Sequence, residues 1–563
     1  MAEIIEIEVL TARDEYLADH SPGQLHHLTA DIGALWPKID HLIYFPILGL
    51  TRPRDLYYYQ GDGLKAIHRC NYKYLTMEHF LGQLTRLRVN AALAEKLAGV
   101  YVQAWYPGDD GVILFADWHT KPHWTKAYSH SGHVTMWGRV MPGTKQLILN
   151  GLEGRLLGGW NYPIDTHLSH VLVDLELGMA QTLNRPVACT IMDSEGGGRP
   201  LGEQYAEAGQ NYVSVLHQER AYSRADFALE GPWEKVKADP EHRAALARWA
   251  DDKRAAEDPR QFVLMRPVEQ GEPTRIYTGR FAAEWRAGDV PWLHRLRWAN
   301  NELRIRDLIR GANLNANFGY AYGEVPQRTR QREWEEAQAK VDTTERQLHD
   351  RQEAVRNLRR RLADLQDEHT AKHLDWEKQL AHQRLELDQR QREERSVQHL
   401  RRRIDRLRRE REDRQARFQR RQRRLLRKLH EREAQAEPLR EQLAQRVAAR
   451  DAIDTETLCR ERDLEKDQVM LNMQILLANL HDWTAQNYLA PEWRTLSLEK
   501  ATQMIYRKAG RVTWYEERIE VELESYRYAD QQRAMEATCA RFNAAGLHWR
   551  DGRALRISVA AAG

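Results

Sequence analysis

The sequence predicts a mixed α/β protein with a long helical arm set into it. Two patterns carry that expectation. Between residues 109 and 325, short apolar runs such as VILFA, QLILN, VACTIM and NYVSVL alternate with helical stretches, the order of an α/β core. From Gln327 to Glu437 there is neither glycine nor proline, and apolar residues recur at heptad spacing, which reads as coiled coil. A helical N-terminal region over 1–108 and a small α+β region over 451–563 complete the expected layout.

The elements follow in order. In TMEHFLGQLTRLRV, Met77, Phe80, Leu81 and Leu84 share one helix face. SPGQLHHLTADIGALW reads as an earlier helix opened by a serine and a proline. Arg52, Arg54, Arg86 and Arg88 cluster near helix ends, which suits either a helix-turn-helix reading DNA or a plain helical bundle. In the core, HVTMWGRV adds a further strand. The stretch GPWEKVKADPEHRAALARWADDKRAAEDPRQ reads as charged helix, followed by strands at QFVLMRPV and TRIYTG.

The arm is expected over 326–450. Val341, Leu348, Val355 and Leu362 recur every seven residues, with Leu358 and Leu365 beside them. A second seam runs through Leu400, Ile404, Leu407, Phe418, Leu425 and Leu429, and Leu439, Leu443 and Val447 close it. The pattern breaks between Gln366 and Gln398. One straight helix of ~165 Å is one reading, at 1.5 Å per residue. A hairpin turning within the gap is preferred, because its two apolar seams bury each other. Beyond the arm, DQVMLNMQILLANL is a strongly apolar helix, and RIEVELES and ALRISV read as strands.

Composition narrows the function classes. The 563 residues suggest three or four domains, and at 42% hydrophobic they can fill real cores. Mean hydropathy is −0.73. Net charge is only +3 although 30% of residues are charged, so the distribution of charge matters more than its sum. Cys70, Cys189, Cys459 and Cys539 lie far apart without a CxxC, which argues against a zinc finger or a disulfide framework and for an intracellular chain. The N-terminal MAEIIEIEVL carries acids where a signal peptide needs bases, and no apolar run reaches ~18 residues, so neither export nor a membrane span is expected.

Two strands run into a carboxylate. GVILFADWHTKPHW reaches Asp117, and VACTIMDSEGGGRP reaches Asp193. A third acid, Glu302, stands in RLRWANNELRIRDLIR, where Leu303, Ile305, Leu308 and Ile309 suggest a helix with one buried side. Strand-end aspartates most often cap a turn. Three hard oxygen donors also suit Mg²⁺ or Mn²⁺, and two such ions serve phosphoryl transfer.

Longer blocks around these acids carry a resemblance. ILFADWHTKPHW with HVTMWGRVMPGTKQLILNGLEGRLL, then IMDSEGGGRPLGEQYAEAGQNYVSVL, then RLRWANNELRIRDLIRGANLNANFGYAYGEVP resemble the three blocks of DDE transposases of bacterial insertion sequences. LGLTRPRDLYYYQGDGLKAIHRCNYKYLTMEHFLGQLTRL and GLHWRDGRALRISV are similar, more loosely, to that family's N- and C-terminal regions. The resemblance implies an RNase H-like catalytic core over 109–325, with an insertion around 218–289 that accounts for the 109 positions from Asp193 to Glu302.

It further implies catalytic and metal-holding roles for Asp117, Asp193 and Glu302, with two Mg²⁺ or Mn²⁺ ions and no nucleotide cofactor. Partners would be double-stranded DNA, at the element's ends and the target, and a second copy of the chain on that DNA. The setting would be cytoplasmic, at the nucleoid. Expected DNA contacts are Lys121, Arg297, Trp298 and Arg306 near the acids, and Arg401, Arg402, Arg403, Arg408 and Arg409 in the basic half of the arm. Such arm contacts hold phosphates and do not read bases. For the third acid, the family pattern has three positions from the tryptophan to the glutamate, and here there are four. Either an extra residue is accommodated and Glu302 is the acid, or Asn301 takes the place. Glu302 is preferred, because Ile305 and Arg306 then fall on the apolar and basic positions of the pattern.

Overall fold

A computed structural model describes residues 32–561 apart from 59–72, 87, 89, 109–110, 126, 129, 184, 217–221, 270–271, 320, 393–395 and 550–551. The chain falls into two compact units, one made of residues up to Gly323 together with Arg460–Gly563, the other of Glu324–Cys459. Most of SPGQLHHLTADIGALW, and part of the stretch considered for a helix-turn-helix, lie outside the described residues.

In the first unit, helices α1 (Ile32–Leu48), α2 (Tyr74–Arg86) and α3 (Asn90–Trp105) precede strand β1 (Val112–Pro122). The expected face of α2 is real: Met77, Phe80 and Leu81 are buried with Leu84 beside them. After β1 come a small hairpin, β2 (Gly132–Val134) and β3 (Arg139–Met141), then β4 (Gly143–Asn150) and β5 (Leu156–Pro163). Helix α4 (Leu172–Leu183), β6 (Val187–Ile191), α5 (Arg199–Ala208) and β7 (Tyr212–Val215) follow. The next strands are β8 (Phe227–Leu229), β9 (Glu234–Val236), β10 (Asp239–Trp249), β11 (Gln261–Pro267) and β12 (Arg275–Arg280), with α6 (Asp252–Glu257) between β10 and β11. Helices α7 (Asp289–Arg297) and α8 (Leu303–Gly311) lead to β13 (Tyr322–Pro326).

These strands build one ten-stranded mixed sheet, ordered β5-β4-β1-β6-β7-β12-β11-β10-β8, with β9 also on β10. β1 is antiparallel to β4 and parallel to β6. Successive side chains of a strand point to opposite faces. Leu114 and Ala116 enter the core shared with α3 and α4, while Phe115 enters the core beneath α7. Asp117 has the parity of Phe115 and so belongs to the α7 side.

Two expectations are corrected here. The strand that reaches Asp117 does not stop there but runs five residues further to Pro122, because His119, Lys121 and His123 find buried partners. The charged stretch read as helix is instead β9 and β10, with only Asp252–Glu257 helical. Its alanine-rich composition favours helix locally, but Ala244, Ala245, Ala247 and Trp249 are packed on both faces of a strand with antiparallel neighbours. Tertiary pairing overrides propensity.

The second unit is a helical hairpin of α9 (Arg328–Arg392, 65 residues) and α10 (Gln398–Asp451, 54 residues). The preferred hairpin is thus observed, with its turn at the far end of the expected gap. Pairing is antiparallel: Arg359 meets Glu433 at 2.7 Å, and Arg446 donates to the Lys340 carbonyl and the Thr344 hydroxyl. Trp376, Leu380 and Ile404 fill the seam near the turn, joined by Leu387 and Leu407.

The chain re-enters the first unit along β14 (Leu458–Arg462), which pairs with β13. The expected apolar helix is α11 (Glu465–Asn487), buried around most of its circumference. Its amides serve the open edge of the sheet. Gln468 accepts from the Asn161 backbone N–H and donates to the Gly159 carbonyl, both at 2.8 Å, and Asn479 donates to the Leu156 carbonyl at 3.0 Å. Thus the unpaired groups of edge strand β5 are satisfied by a helix. Gly159 permits the approach, since a Cβ there would stand 2.7 Å from Ile475. Strands β15 (Gly510–Trp514), β16 (Arg518–Leu523) and β17 (Ala554–Val559) form a small sheet against α12 (Ala529–Ala544), matching the strands expected at RIEVELES and ALRISV.

One buried ion cluster ties α11 to β1. Asp467, which is fully buried, takes Lys121 Nζ at 2.9 Å and Arg462 Nη2 at 2.6 Å. Burial opposes the charge on Asp467, yet the two cations hold its carboxyl below the usual range. Removing one partner of such a cluster strands the rest in a low dielectric. Asp467→Ala is expected to lower the stability of this unit by about 3–5 kcal/mol, read as a lower denaturation midpoint of the full chain in urea.

Candidate active site

The three acids are brought to one place. Asp117 sits on β1 and pairs across with Ile148 of β4. Asp193 follows the adjacent parallel strand β6, where it caps a short turn by accepting from the Glu195 backbone N–H at 3.0 Å. Glu302 approaches from the helical layer. Arg297, the last residue of α7, joins two of them: Nη1 donates to Asp117 at 2.7 Å and Nη2 to Glu302 at 2.5 Å.

The link between α7 and α8 explains how Glu302 arrives. Residues Trp298–Glu302 form a π turn, in which the Leu303 N–H bonds to the Trp298 carbonyl five residues back. A π turn holds one residue more than an α turn. Such a turn can take up the extra residue that the resemblance implies after Trp298, and it leaves α7 with its buried face (Val290, Leu293) in the core of Phe115 and α8 with its own (Ile305, Leu308) in the other core, beside Leu471 and Leu498. Within the turn the roles divide. Asn301 is fully buried and accepts from Asn150 Nδ2 at 2.6 Å, while Glu302 is directed to the Asp117 side through Arg297.

Electrostatics mark the cluster. Burial pushes the Asp117 carboxyl up to about 7; Arg297 opposes this, and the charges of Asp193 and Glu302 add to it. Asp193 is also raised, mainly by burial, against the Glu195 N–H bond and Arg297. Clustered acids at this depth, with one guanidinium between them, are what perturbed functional carboxylates look like.

Among the described residues no group of three or more His, Cys, Asp or Glu side chains is arranged to hold a metal ion, and the Arg297 guanidinium bonds both Asp117 and Glu302. The donor chemistry nevertheless fits a hard divalent cation: all three groups are carboxylates, and the cluster already recruits a cation. Asp117, Asp193 and Glu302 are the residues that would hold it.

The other expected residues divide. Trp298 is 60% exposed, so its ring is open to a ligand and is not core. Arg306 is exposed on α8. Arg401, Arg402, Arg403, Arg408 and Arg409 are all exposed on α10. Lys121 is a correction: expected to hold a phosphate, it is 2% exposed and bound to Asp467, because β1 continues into the interior. Glu195, two residues beyond Asp193, accepts from the Trp118 indole and the Leu168 N–H, both at 3.2 Å.

One residue was missed. Lys145 on β4 lies over the Trp118 ring, donates to the Thr166 carbonyl at 2.8 Å and stands 3.6 Å from Glu195, and its charge opposes the rise of the Asp193 carboxyl. The available signal was a lysine two positions ahead of the apolar run Leu147–Leu149. No family model matches the chain, and no curated protein is significantly similar to it.

The raised Asp117 carboxyl makes a pH prediction. Its folded pKa of about 7 lies above its ordinary 3.8, so the folded state holds the proton more tightly. That contribution to stability is full below pH 4 and is lost as pH rises towards 7. Asp117→Asn is therefore expected to denature at a higher midpoint than the native chain at pH 8, with the difference shrinking to nothing near pH 4. A pH series of urea titrations measures it.

Proposed function

We propose that this chain is a metal-dependent DNA transposase of the DDE type, built on an RNase H-like core. The observation that carries the reading is the convergence of Asp117 on β1 and Glu302 of the π turn on one guanidinium, with Asp193, just after the adjacent parallel strand, near enough for its charge to raise the Asp117 carboxyl. The sheet supports it: three antiparallel strands β5-β4-β1, then β6 and β7 parallel to β1, with the first strand central, is the order an RNase H-like core requires.

A pair of Mg²⁺ or Mn²⁺ ions held by the three carboxylates would supply Lewis acidity at the scissile phosphate. The chain's own groups do the rest. Arg297 releases Asp117 and Glu302 and turns its guanidinium to the phosphate, to which its planar fork is matched. Asp117 gives up its proton near neutrality. Trp298 offers an exposed ring to a base, and Arg306 and the arm arginines hold backbone phosphates. Hydrolysis at each element end frees a 3′ hydroxyl, which attacks target DNA in a second displacement. Joining two ends calls for two copies of the chain on DNA. Among the described residues no helix is long and apolar enough to cross a membrane, and an enzyme of this kind would work at the nucleoid.

Incubation with DNA carrying the repeats that flank the gene, plus Mg²⁺ or Mn²⁺, tests the reading. Glu302→Gln and Asp117→Asn are expected to lose cleavage by at least about a hundredfold while still shifting DNA in a gel. Asn301→Ala should keep cleavage and lose about 1–3 kcal/mol of stability, because it leaves Asn150 unpaired. Full cleavage by Glu302→Gln would remove it from the site.

The guanidinium lodged between Asp117 and Glu302 favours one rival, a relative that binds and assembles on DNA without cutting it. DNA binding without cleavage under every metal condition identifies that case. In either case the arm has its own test. Changing Arg401, Arg402, Arg403, Arg408 and Arg409 to glutamine should flatten the plot of log K against log salt by a few units, at about −0.9 per phosphate contact, equally for all DNA sequences. An unchanged slope would assign those arginines to a solvated face.

A further inference from the structure

The arm's seam opens where it ought to be tightest. The heptad series Val341, Leu348, Val355, Leu362 continues to His369 and Trp376, so a polar ring and the bulkiest side chain occupy successive core positions. Opposite them α10 presents Phe418, which stacks on His369 at 3.8 Å between centroids, and Gln415, 2.9 Å from His369 Nε2. These rings line a cavity of about 560 Å³ between the two helices. A polar residue at a core position costs a coiled coil stability, and a cavity in the seam adds to the cost.

The lining is cationic on balance, with Lys372 and four arginines against Glu368 and Asp375. Arg414, Arg417 and Arg421, spaced three and four residues apart on one side of α10, border the cavity and are exposed. Arg411 lies over the Trp376 ring and reaches Glu377 at 3.4 Å, and Lys372 pairs with Glu368. Trp376 is only 4% exposed, yet its indole N–H meets no acceptor among the described residues. A buried donor without a partner costs about 1–3 kcal/mol unless something supplies the acceptor. The cavity therefore combines excess positive charge, aromatic walls and an unmatched N–H.

We propose that this cleft binds a phosphate group, which accepts from the Trp376 indole and is clamped by Arg414, Arg417 and Arg421. The site lies wholly within the arm and does not rest on the carboxylate cluster. The phosphate can come from a DNA backbone or from a free phosphate compound, and the two sources are separable. Full-length chain labelled with ¹⁵N-tryptophan gives one indole signal that Trp376→Phe removes. Inorganic phosphate, added against chloride of equal ionic strength, is expected to move that signal, and a short random-sequence duplex is tested in parallel. Movement by both marks a general phosphate site; movement by the duplex alone assigns it to DNA.

Combined Arg414→Gln, Arg417→Gln and Arg421→Gln should abolish the shift with the helical circular dichroism retained. If the triple variant loses helix, the single change Arg417→Gln, at an exposed position, should still weaken the response severalfold. A Trp376 signal that neither phosphate nor duplex moves beyond the chloride control overturns the proposal, as does an undiminished response in the arginine variants.

Discussion

Asp467, held between Lys121 and Arg462, is the contact on which the first unit depends. Lys121 belongs to β1, Arg462 to the strand on which the chain returns from the arm, and Asp467 to the helix that follows. A single buried carboxylate thus fixes the end of β1, the re-entry point and the seating of α11. With α11 seated, its amides cover the sheet edge at β5, and the edge strand is closed to any other chain. The burial of Lys121 has a further effect. It draws β1 past Asp117, so that Asp117 is held in the ladder with β4 instead of standing at the strand's end.

The second constraint is the π turn. An inserted residue in a straight α-helix rotates everything beyond it by about 100°, which would have turned either α7 or α8 away from its core. Taking the residue into one wide turn spares both faces. It also sorts two neighbouring side chains, sending Asn301 inward to Asn150 and Glu302 towards Arg297. Irregular helical turns of this type concentrate at functional positions, and here the irregularity decides which side chain joins the acids.

Much of this was legible in the sequence because the signals were local. Apolar runs located the core strands, heptads gave the arm, and one residue too many after Trp298 was noticed, though not as a wide helical turn. The failures share a cause. β10 was mistaken for helix because its alanines and arginines favour helix in isolation, and only its neighbours β11 and β8 make it a strand. Lys121 was assigned to a DNA phosphate because its partner Asp467 lies 346 positions away. Lys145 was overlooked for a similar reason: its neighbours Thr166 and Glu195 come from other segments. The acids themselves could be named from their surroundings, whereas Arg297 as the bridge between them became visible only with all three in space.

The arm also bears on the order in which the protein assembles. It separates the two parts of the first unit by the 136 residues of Glu324–Cys459, and closing a flexible loop of that length costs on the order of 4 kcal/mol. A hairpin whose helices contact each other locally forms quickly, and once zipped it delivers β13 and β14 side by side. The loop is then short, and α11 docks at little entropic cost. During synthesis, residues up to Gly323 must wait, with the β5 edge still open, until the returning helix emerges. For the same reason the chain is suited to being split at the turn between α9 and α10, since two separately made pieces could find each other through the arm.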